Sequence, residues 1–357
     1  MKTVRIGIVG TGGMANAHAR YFGEVAGARI VSCYDVAPER SAAYAARHGL
    51  RHVARDLDDL LDAVDAVSVV TSDDAHAAVS LRVLAAGRHL LCEKPLTVTL
   101  EEARRVARAY AAARAKGVVG MVNFSHRGAH FDVARRMVEK GRLGELRYVR
   151  AHYLQGGLAV KGAWQESKAI WRLQASRGSK GVLGDLGCHL LDFVTGICGR
   201  AAALRCTLRT HPKRGSDDRN YTAWQGVALD ANDTASIDVD FAGGAYGQVQ
   251  TTRWAGGHRN DVLLEVHGTD GALSVGHTHP EKPFLRSCIG RRAIKAWDWH
   301  DGRVPPMVHN WRRFIRAIRT GRPAEPDILR GAEIQAYLDA CERSAATGRP
   351  EAPRRWR

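Results

Sequence analysis

Through the first third of the chain, short β-branched runs alternate with Ala- and Arg-rich stretches. The runs Val4 to Val9, Arg29 to Tyr34, Ala66 to Val70, His89 to Cys92 and Val118 to Val122 read as strands. Between them, Met14 to Glu24, Glu39 to His48, Asp74 to Ala86 and Leu100 to Lys116 read as helices, each ending near a glycine such as Gly49, Gly87 or Gly117. That alternation specifies a parallel sheet covered by helices, so residues 1–122 are expected to form a doubly wound α/β domain.

After Asn123 the rhythm changes. A helix over Asp132 to Lys140 is followed by Arg147 to Tyr153, Leu204 to Thr210, Thr234 to Phe241, Ala245 to Thr252, Asp261 to His267 and Ala272 to Val275, which alternate as the strands of a mostly antiparallel sheet. Ala242-Gly243-Gly244 and Gly268-Thr269-Asp270-Gly271 supply hairpin turns. Residues 123–357 are therefore expected to form a second, α+β domain.

Composition narrows the class. The chain has 357 residues, 45% hydrophobic and 25% charged, enough for two globular cores. No apolar run approaches the ~20 residues that span a bilayer. Met1-Lys2-Thr3 leads straight into the first strand without a secretory pattern, and the seven cysteines are scattered with no Cys-x-x-Cys pair, so reduced thiols and a cytoplasmic location are expected. The net charge of +16 raises nucleic acid as a partner. The arginines, however, are spread through helical stretches such as Glu101 to Lys116 and Trp311 to Arg322, without interleaved aromatics or zinc-finger spacing, which favours a solvated basic surface and no nucleic-acid partner.

The candidate chemistry begins at Gly10-Thr11-Gly12-Gly13-Met14-Ala15, which fits G-x-G-x-x-G/A between an apolar strand and an alanine-rich helix. Gly10 suits the tight turn, Gly12 lets backbone approach a pyrophosphate, and Ala15 allows close helix packing, while the helix N-terminus offers free N–H groups to the anion. Asp35 closes the second strand, where a carboxylate would accept hydrogen bonds from ribose hydroxyls and disfavour a 2′-phosphate. NAD is thus preferred to NADP, with Arg40 nearby softening the preference. His277 and His279 form only a lone His-x-His, and no third ligand stands at a persuasive spacing, so no metal is expected.

Glu93-Lys94-Pro95 follows the fourth of those strands, at the sheet edge where ligands of doubly wound folds collect. Together with the glycine loop, the phrase Ala86-Gly87-Arg88-His89-Leu90-Leu91-Cys92, and Gly181-x-x-x-Asp185-x-Gly187-x-His189, it resembles the Gfo/Idh/MocA family, named for glucose-fructose oxidoreductase, inositol dehydrogenase and a rhizopine-catabolism protein. The resemblance covers essentially the whole chain. It implies a Rossmann domain holding NAD(P), a C-terminal open-faced sheet that joins homodimers or homotetramers, and oxidation or reduction of sugars and cyclitols. By motif, Lys94, Asp185 and His189 carry over as catalytic positions. Thr71, His76 and Glu93 match cofactor-side positions, with Gly10, Thr11, Gly12, Gly13, Met14 and Asp35, and Asn123 matches the asparagine near nicotinamide and substrate. The chain departs from the family's usual Gly-Gly-Gly at Ser179-Lys180-Gly181, and from its Pro-Asn at Ser72-Asp73.

Asp185 and His189 are four apart and on a helix would share one face, as suits a base and its partner. An imidazole can take a hydroxyl proton near neutral pH, and Lys94 would stabilise the developing alkoxide. Trp171 and Arg172 are candidates for substrate binding along with Lys94, Asn123, Asp185 and His189. Trp164 is either a stacking platform or packing beneath the loop, and His152, Tyr153 and His258 at strand ends carry the same ambiguity. Three readings follow, ranked in this order: a dehydrogenase acting on a secondary hydroxyl of a sugar, glycoside or cyclitol, an NAD-assisted glycoside-cleaving enzyme, and a non-catalytic NAD-binding regulator.

Overall fold

The computed structural model describes residues 3–167, 170–278, 282–304 and 309–356. The β-branched runs of the first third become β1 (Val4–Val9), β2 (Ala28–Tyr34), β3 (His52–Val53), β4 (Ala66–Val69), β5 (His89–Cys92) and β6 (Gly120–Val122). They make one parallel sheet in the order β3-β2-β1-β4-β5-β6. The intervening helices are α1 (Gly13–Gly23), α2 (Pro38–His48), α3 (Leu57–Ala63), α4 (His76–Ala85) and α5 (Leu100–Arg114). The order reverses between β1 and β4, and the crevice beyond the carboxyl ends of those strands is where open α/β sheets bind ligands. Two elements escaped the sequence pattern. β3 is too short to show periodicity, and α3 is a seven-residue helix capped by Asp56, whose Oδ1 accepts from the Asp59 amide at 2.8 Å.

The chain divides into two units, one of Met1–Ser125, Val308–Gln335 and Trp356–Arg357, the other of His126–Met307 and Ala336–Arg355. This differs from the expectation that everything beyond residue 122 belongs to the second domain. The helix Asn310–Thr320 returns to the first unit because Trp311, Phe314, Ile315 and Ala317 complete the core formed by Val4, Ile6, Phe22 and Tyr44. An amphipathic helix declares that it has an apolar face, and its partner is set by tertiary packing.

In the second unit, α6 (Ala129–Glu139) and α7 (Cys188–Cys198) accompany an eight-stranded sheet. Its strands are β7 (Leu146–Leu154), β8 (Ala201–Arg209), β9 (Thr234–Phe241), β10 (Tyr246–Thr252), β11 (Asp261–Gly268), β12 (Gly271–His277), β13 (Pro283–Ile289) and β14 (His300–Asp301), in the order β14-β13-β12-β11-β7-β10-β9-β8. β7 and β10 run parallel, and the other neighbours are antiparallel. Both expected hairpins form, joining β9 to β10 and β11 to β12. Along β9 and β10 every second residue is buried, including Ile237, Val239 and Val249, which leaves the other face of the ribbon to solvent.

Between β8 and β9, two short ladders pair Lys213–Arg214 with Asn220–Tyr221 and Ala223–Trp224 with Val227–Ala228. The fully buried ammonium of Lys213 fixes this excursion by meeting Asp233 Oδ2 at 2.8 Å and the His211 carbonyl at 2.7 Å. All seven cysteines are free and buried. Among the described residues, no helix is long and apolar enough to cross a membrane.

Candidate active site

The first unit gathers the residues of the glycine loop and the Glu-Lys-Pro turn at the carboxyl edge of its sheet. Gly10 has φ +88°, and its amide donates to the Tyr34 carbonyl at 2.9 Å. A Cβ there would sit 2.7 Å from the Thr71 nitrogen and the Val70 oxygen, so only glycine passes between β1 and the end of β4. Helix α1 opens at Gly12 with no side-chain cap and no acid in its first turn, and a Cβ on Gly12 or Gly13 would meet nothing within 4 Å. The loop thus presents uncapped amides to open space, which fits a dinucleotide pyrophosphate. Met14 is half-exposed beside it, and Ala15 is fully buried.

Asp35, at the end of β2, is tied to this loop. Its Oδ2 accepts from the Thr11 amide at 2.7 Å and the Thr11 hydroxyl at 3.0 Å, while Oδ1 accepts from the Ala37 amide at 3.0 Å. Burial pushes the carboxyl up, but those donors and the charge of Arg40 outweigh it and hold it below its ordinary value.

Glu93 is the centre of a buried network. Its Oε1 meets His18 Nε2 at 2.9 Å and accepts from Asn123 Nδ2 at 2.6 Å, while His18 Nδ1 lies 2.7 Å from the Ser68 hydroxyl. Asn310 Nδ2 in turn donates to Asn123 Oδ1 and to the Phe124 carbonyl, both at 3.1 Å. Desolvation alone would raise Glu93, but His18, Lys94 and Asn123 more than compensate and bring it down to about 2. The carboxylate is anchored by α1, β5 and β6 together, with the Lys94 amide donating to Oε2 at 3.3 Å. Lys94 itself is half-buried. His76 is wholly buried, its Nδ1 2.8 Å from the Pro95 carbonyl and its Nε2 3.3 Å from the Thr71 carbonyl, so it braces the turn after β4 against the Glu-Lys-Pro turn.

The second unit holds Asp185, His189, Trp171 and Arg172. Asp185 lies in a single π-turn, Leu183–Gly187, and His189 in the first turn of α7. The stretch is helical, as expected, but Asp185 sits in a π-turn and not in an ordinary α-helical turn. The turn is fixed by Gly181, at φ +61°, where a Cβ would meet the Asn232 oxygen at 2.5 Å. Asn232 also accepts from the Val182 amide at 2.8 Å and the Leu183 amide at 3.0 Å. Asp185 Oδ2 receives Arg253 Nη2 at 2.6 Å and Arg172 Nη1 at 3.4 Å. His189 is buried, with the His126 ring edge-on at 4.5 Å and the Tyr153 ring at 6.4 Å. Behind it, His126 Nδ1 lies 3.1 Å from His277 Nε2. His279 falls outside the described residues.

Trp171 is half-buried with the Arg172 guanidinium over it at 5.5 Å. Trp164 is packing: it is 3% exposed, in a cluster with Leu158, Leu173 and Leu229. Tyr153 is also buried, donating to Asn260 Oδ1 at 2.9 Å, whereas His152 and His258 are half-buried and His258 pairs with Asp261. His18, Ser68, Asn310, Arg253 and His126 were absent from the sequence-derived site. His18 alone left a signal, as a polar position on the buried side of an otherwise apolar helix face.

The family model for the Gfo/Idh/MocA oxidoreductases, an NAD-binding Rossmann fold, matches residues 4–124, and that for the Gfo/Idh/MocA C-terminal domain matches residues 131–274. The chain belongs to this family of oxidoreductases with an NAD-binding Rossmann domain. It is similar to a levoglucosan dehydrogenase of Pseudarthrobacter phenanthrenivorans, 28% identical over 97% of each chain, and to an inositol 2-dehydrogenase of Rhizobium meliloti, 25% identical over 97% of this chain and 98% of the relative. Among solved structures it resembles an oxidoreductase domain protein from Kribbella flavida (TM-score 0.86, 27% identity, 99% and 100% of the two chains). It also resembles a levoglucosan dehydrogenase in complex with NADH and L-sorbose (TM-score 0.82, 25% identity, 99% and 100%).

Proposed function

We propose that the chain is an NAD-linked dehydrogenase acting on a secondary hydroxyl of a sugar, glycoside or cyclitol. The observation that carries this reading is the sheet edge of the first unit, where an uncapped helix N-terminus, Asp35 and the anchored Glu93-Lys94 turn converge on the switch point between β1 and β4. Gly10, Thr11, Gly12, Gly13 and Met14 would hold the pyrophosphate, Asp35 the ribose, and Thr71 and Asn123 the nicotinamide end. When bound, NAD supplies the hydride acceptor.

The remaining chemistry falls to the chain's own side chains. Lys94 stabilises the developing alkoxide electrostatically, and its backbone is pinned by Glu93 so that the ammonium starts from a fixed base. His189 accepts the hydroxyl proton. Asp185, engaged by Arg253, acts as an anchor within its own unit instead of taking a proton. The carboxylate of Asp35 beside a 2′-phosphate would repel it, which supports NAD over NADP. The solvent-facing side of the second unit's sheet is where we place a homo-oligomer contact.

The test is NADH formation by purified protein across inositols, aldoses, anhydrosugars, glycosides and their acid derivatives, with NAD or NADP. Reduction with one class supports the dehydrogenase. Bond cleavage without NADH accumulation would replace it with the redox-assisted lyase, and NAD binding without turnover would leave a regulator.

A further inference from the structure

We propose that the substrate carries an acid group, a carboxylate or a phosphate ester, on its polyol skeleton, and that Arg172 and Arg253 hold that group beside Asp185. The inference rests on the oxidoreductase reading above and names the substrate class within it.

Two guanidinium cations share one carboxylate oxygen, Asp185 Oδ2, at 2.6 Å from Arg253 and 3.4 Å from Arg172. Among the described residues neither arginine meets another carboxylate within ion-pair distance. Arg172, Arg253 and Asp185 taken together thus carry one positive charge in excess. Asp185 balances the nearly buried Arg253 at 2.6 Å, so the charge left over falls on Arg172, 3.4 Å from the same oxygen. A neutral sugar brings hydroxyls but no charge, whereas an acid group supplies the missing one.

The donors are arranged for such a group. Each fork offers five N–H donors, and Asp185 engages one nitrogen of each. Arg172 is the accessible partner, its side chain 39% exposed and its guanidinium over the Trp171 ring. Its backbone is fastened to the motif: Ser179 Oγ donates to the Arg172 carbonyl at 2.7 Å and accepts from the Gly181 amide at 3.0 Å. Ser179 stands at one of the positions where the chain departs from glycine, so the tie that places Arg172 is a feature of this sequence. A planar fork matches the paired oxygens of carboxylate and phosphate, which a lysine would meet only as a point charge.

The experiment compares matched compounds of one stereochemistry, a neutral sugar, its uronate or aldonate, and its phosphate ester, in NAD reduction by the full chain. Expected is kcat/KM at least about tenfold higher for an acid form than for the neutral form, carried by KM and shrinking as salt rises. The carboxylate and phosphate arms identify which acid is read. Arg172→Gln collapses the acid-to-neutral ratio toward one, and Arg172→Lys restores part of it, which a merely structural role would not do. Equal or better turnover of the neutral compounds by the unaltered enzyme overturns the inference and leaves the dehydrogenase standing. If no compound is oxidised, the dehydrogenase reading fails. Calorimetric titration of the NADH-loaded protein with the same three compounds then decides the inference by itself: acid-selective binding lost in Arg172→Gln supports it, and its absence overturns it.

Discussion

Nη2 of Arg253 lies 2.6 Å from Oδ2 of Asp185, and that contact separates the two halves of the Asp185/His189 motif. On the proposed reading, a carboxylate so engaged serves as an anchor, and His189 is the group assigned to take the proton. Replacing His189 with Asn should lower kcat by about 10²- to 10⁴-fold, the usual range for a general base, with little change in NADH binding. Asp185→Asn should lower turnover too, but with a fall in melting temperature, because Arg253 then keeps its charge in a nearly buried place without a partner. Steady-state kinetics set beside thermal melts of both variants check this. An Asp185→Asn protein as stable as the parent would contradict it.

Glu93 gives a pH prediction whose sign follows from its environment. Desolvation opposes its ionised form, but the contacts of His18, Lys94 and Asn123 prevail and bring the group to about 2 when folded, against ~4.3 in an unfolded chain. A depressed carboxyl contributes stability that is fully present above the unfolded value and is lost as pH falls toward the folded one. Urea midpoints measured from pH 7 to pH 3 should therefore fall more steeply for the parent than for Glu93→Gln. The variant should be weaker at pH 7, and the gap between the two curves should narrow as pH falls below about 4.3 toward the folded value. Parallel curves would show that the Glu93 network adds nothing through charge.

Within the second unit, Arg127 meets Asp192 in a two-pronged pair at 2.6 and 2.7 Å, with side chains 5% and 1% exposed. Removing one member takes the two-pronged partner from a charge held in the interior, so Arg127→Met should cost about 3–5 kcal/mol in chemical denaturation. Replacing both, with Arg127→Met and Asp192→Leu, should cost less than Arg127→Met alone, because no buried charge then outlives its ion-pair partner. A double variant weaker than either single one would mean that the pair is favourable beyond its own desolvation.

What was legible in the sequence follows from how far each signal reaches along the chain. The parallel sheet, its phosphate loop and Asp35 are encoded within contiguous windows of strand, turn and helix, and β1, β5 and β9 begin and end where the pattern puts them. Gly10 could be singled out from the tight turn its loop pattern needs and Gly181 only from the family motif that carries it, and the structure shows a backbone that excludes other residues at both. Partnerships were not legible. His18 to Glu93 spans 75 residues, Asp185 to Arg253 spans 68, and Asn310 reaches Asn123 across 187. Neither periodicity nor a local motif records which distant side chain fills a hydrogen-bonding vacancy. The π-turn at Leu183–Gly187 was hidden for the same reason, since the clasp on Val182 and Leu183 at its start comes from Asn232.

Asp35 sets the cofactor prediction. Its two oxygens are held by Thr11 and Ala37, so the carboxylate cannot swing aside to admit a 2′-phosphate, and the positive charge of Arg40 now acts on it. Asp35→Ser removes the repelling charge and releases Arg40 to meet a phosphate. The ratio of kcat/KM for NADP to that for NAD should rise by about tenfold or more, the scale of one charge-assisted hydrogen bond gained where a like charge stood. Adding Arg40→Ala to Asp35→Ser should take back most of the gain in NADP while leaving the loss in NAD, because the two effects arise from different side chains. If Asp35→Ser instead weakens NAD and NADP in equal proportion, Asp35 acts only as the clasp on Thr11, and cofactor choice is made elsewhere in the loop.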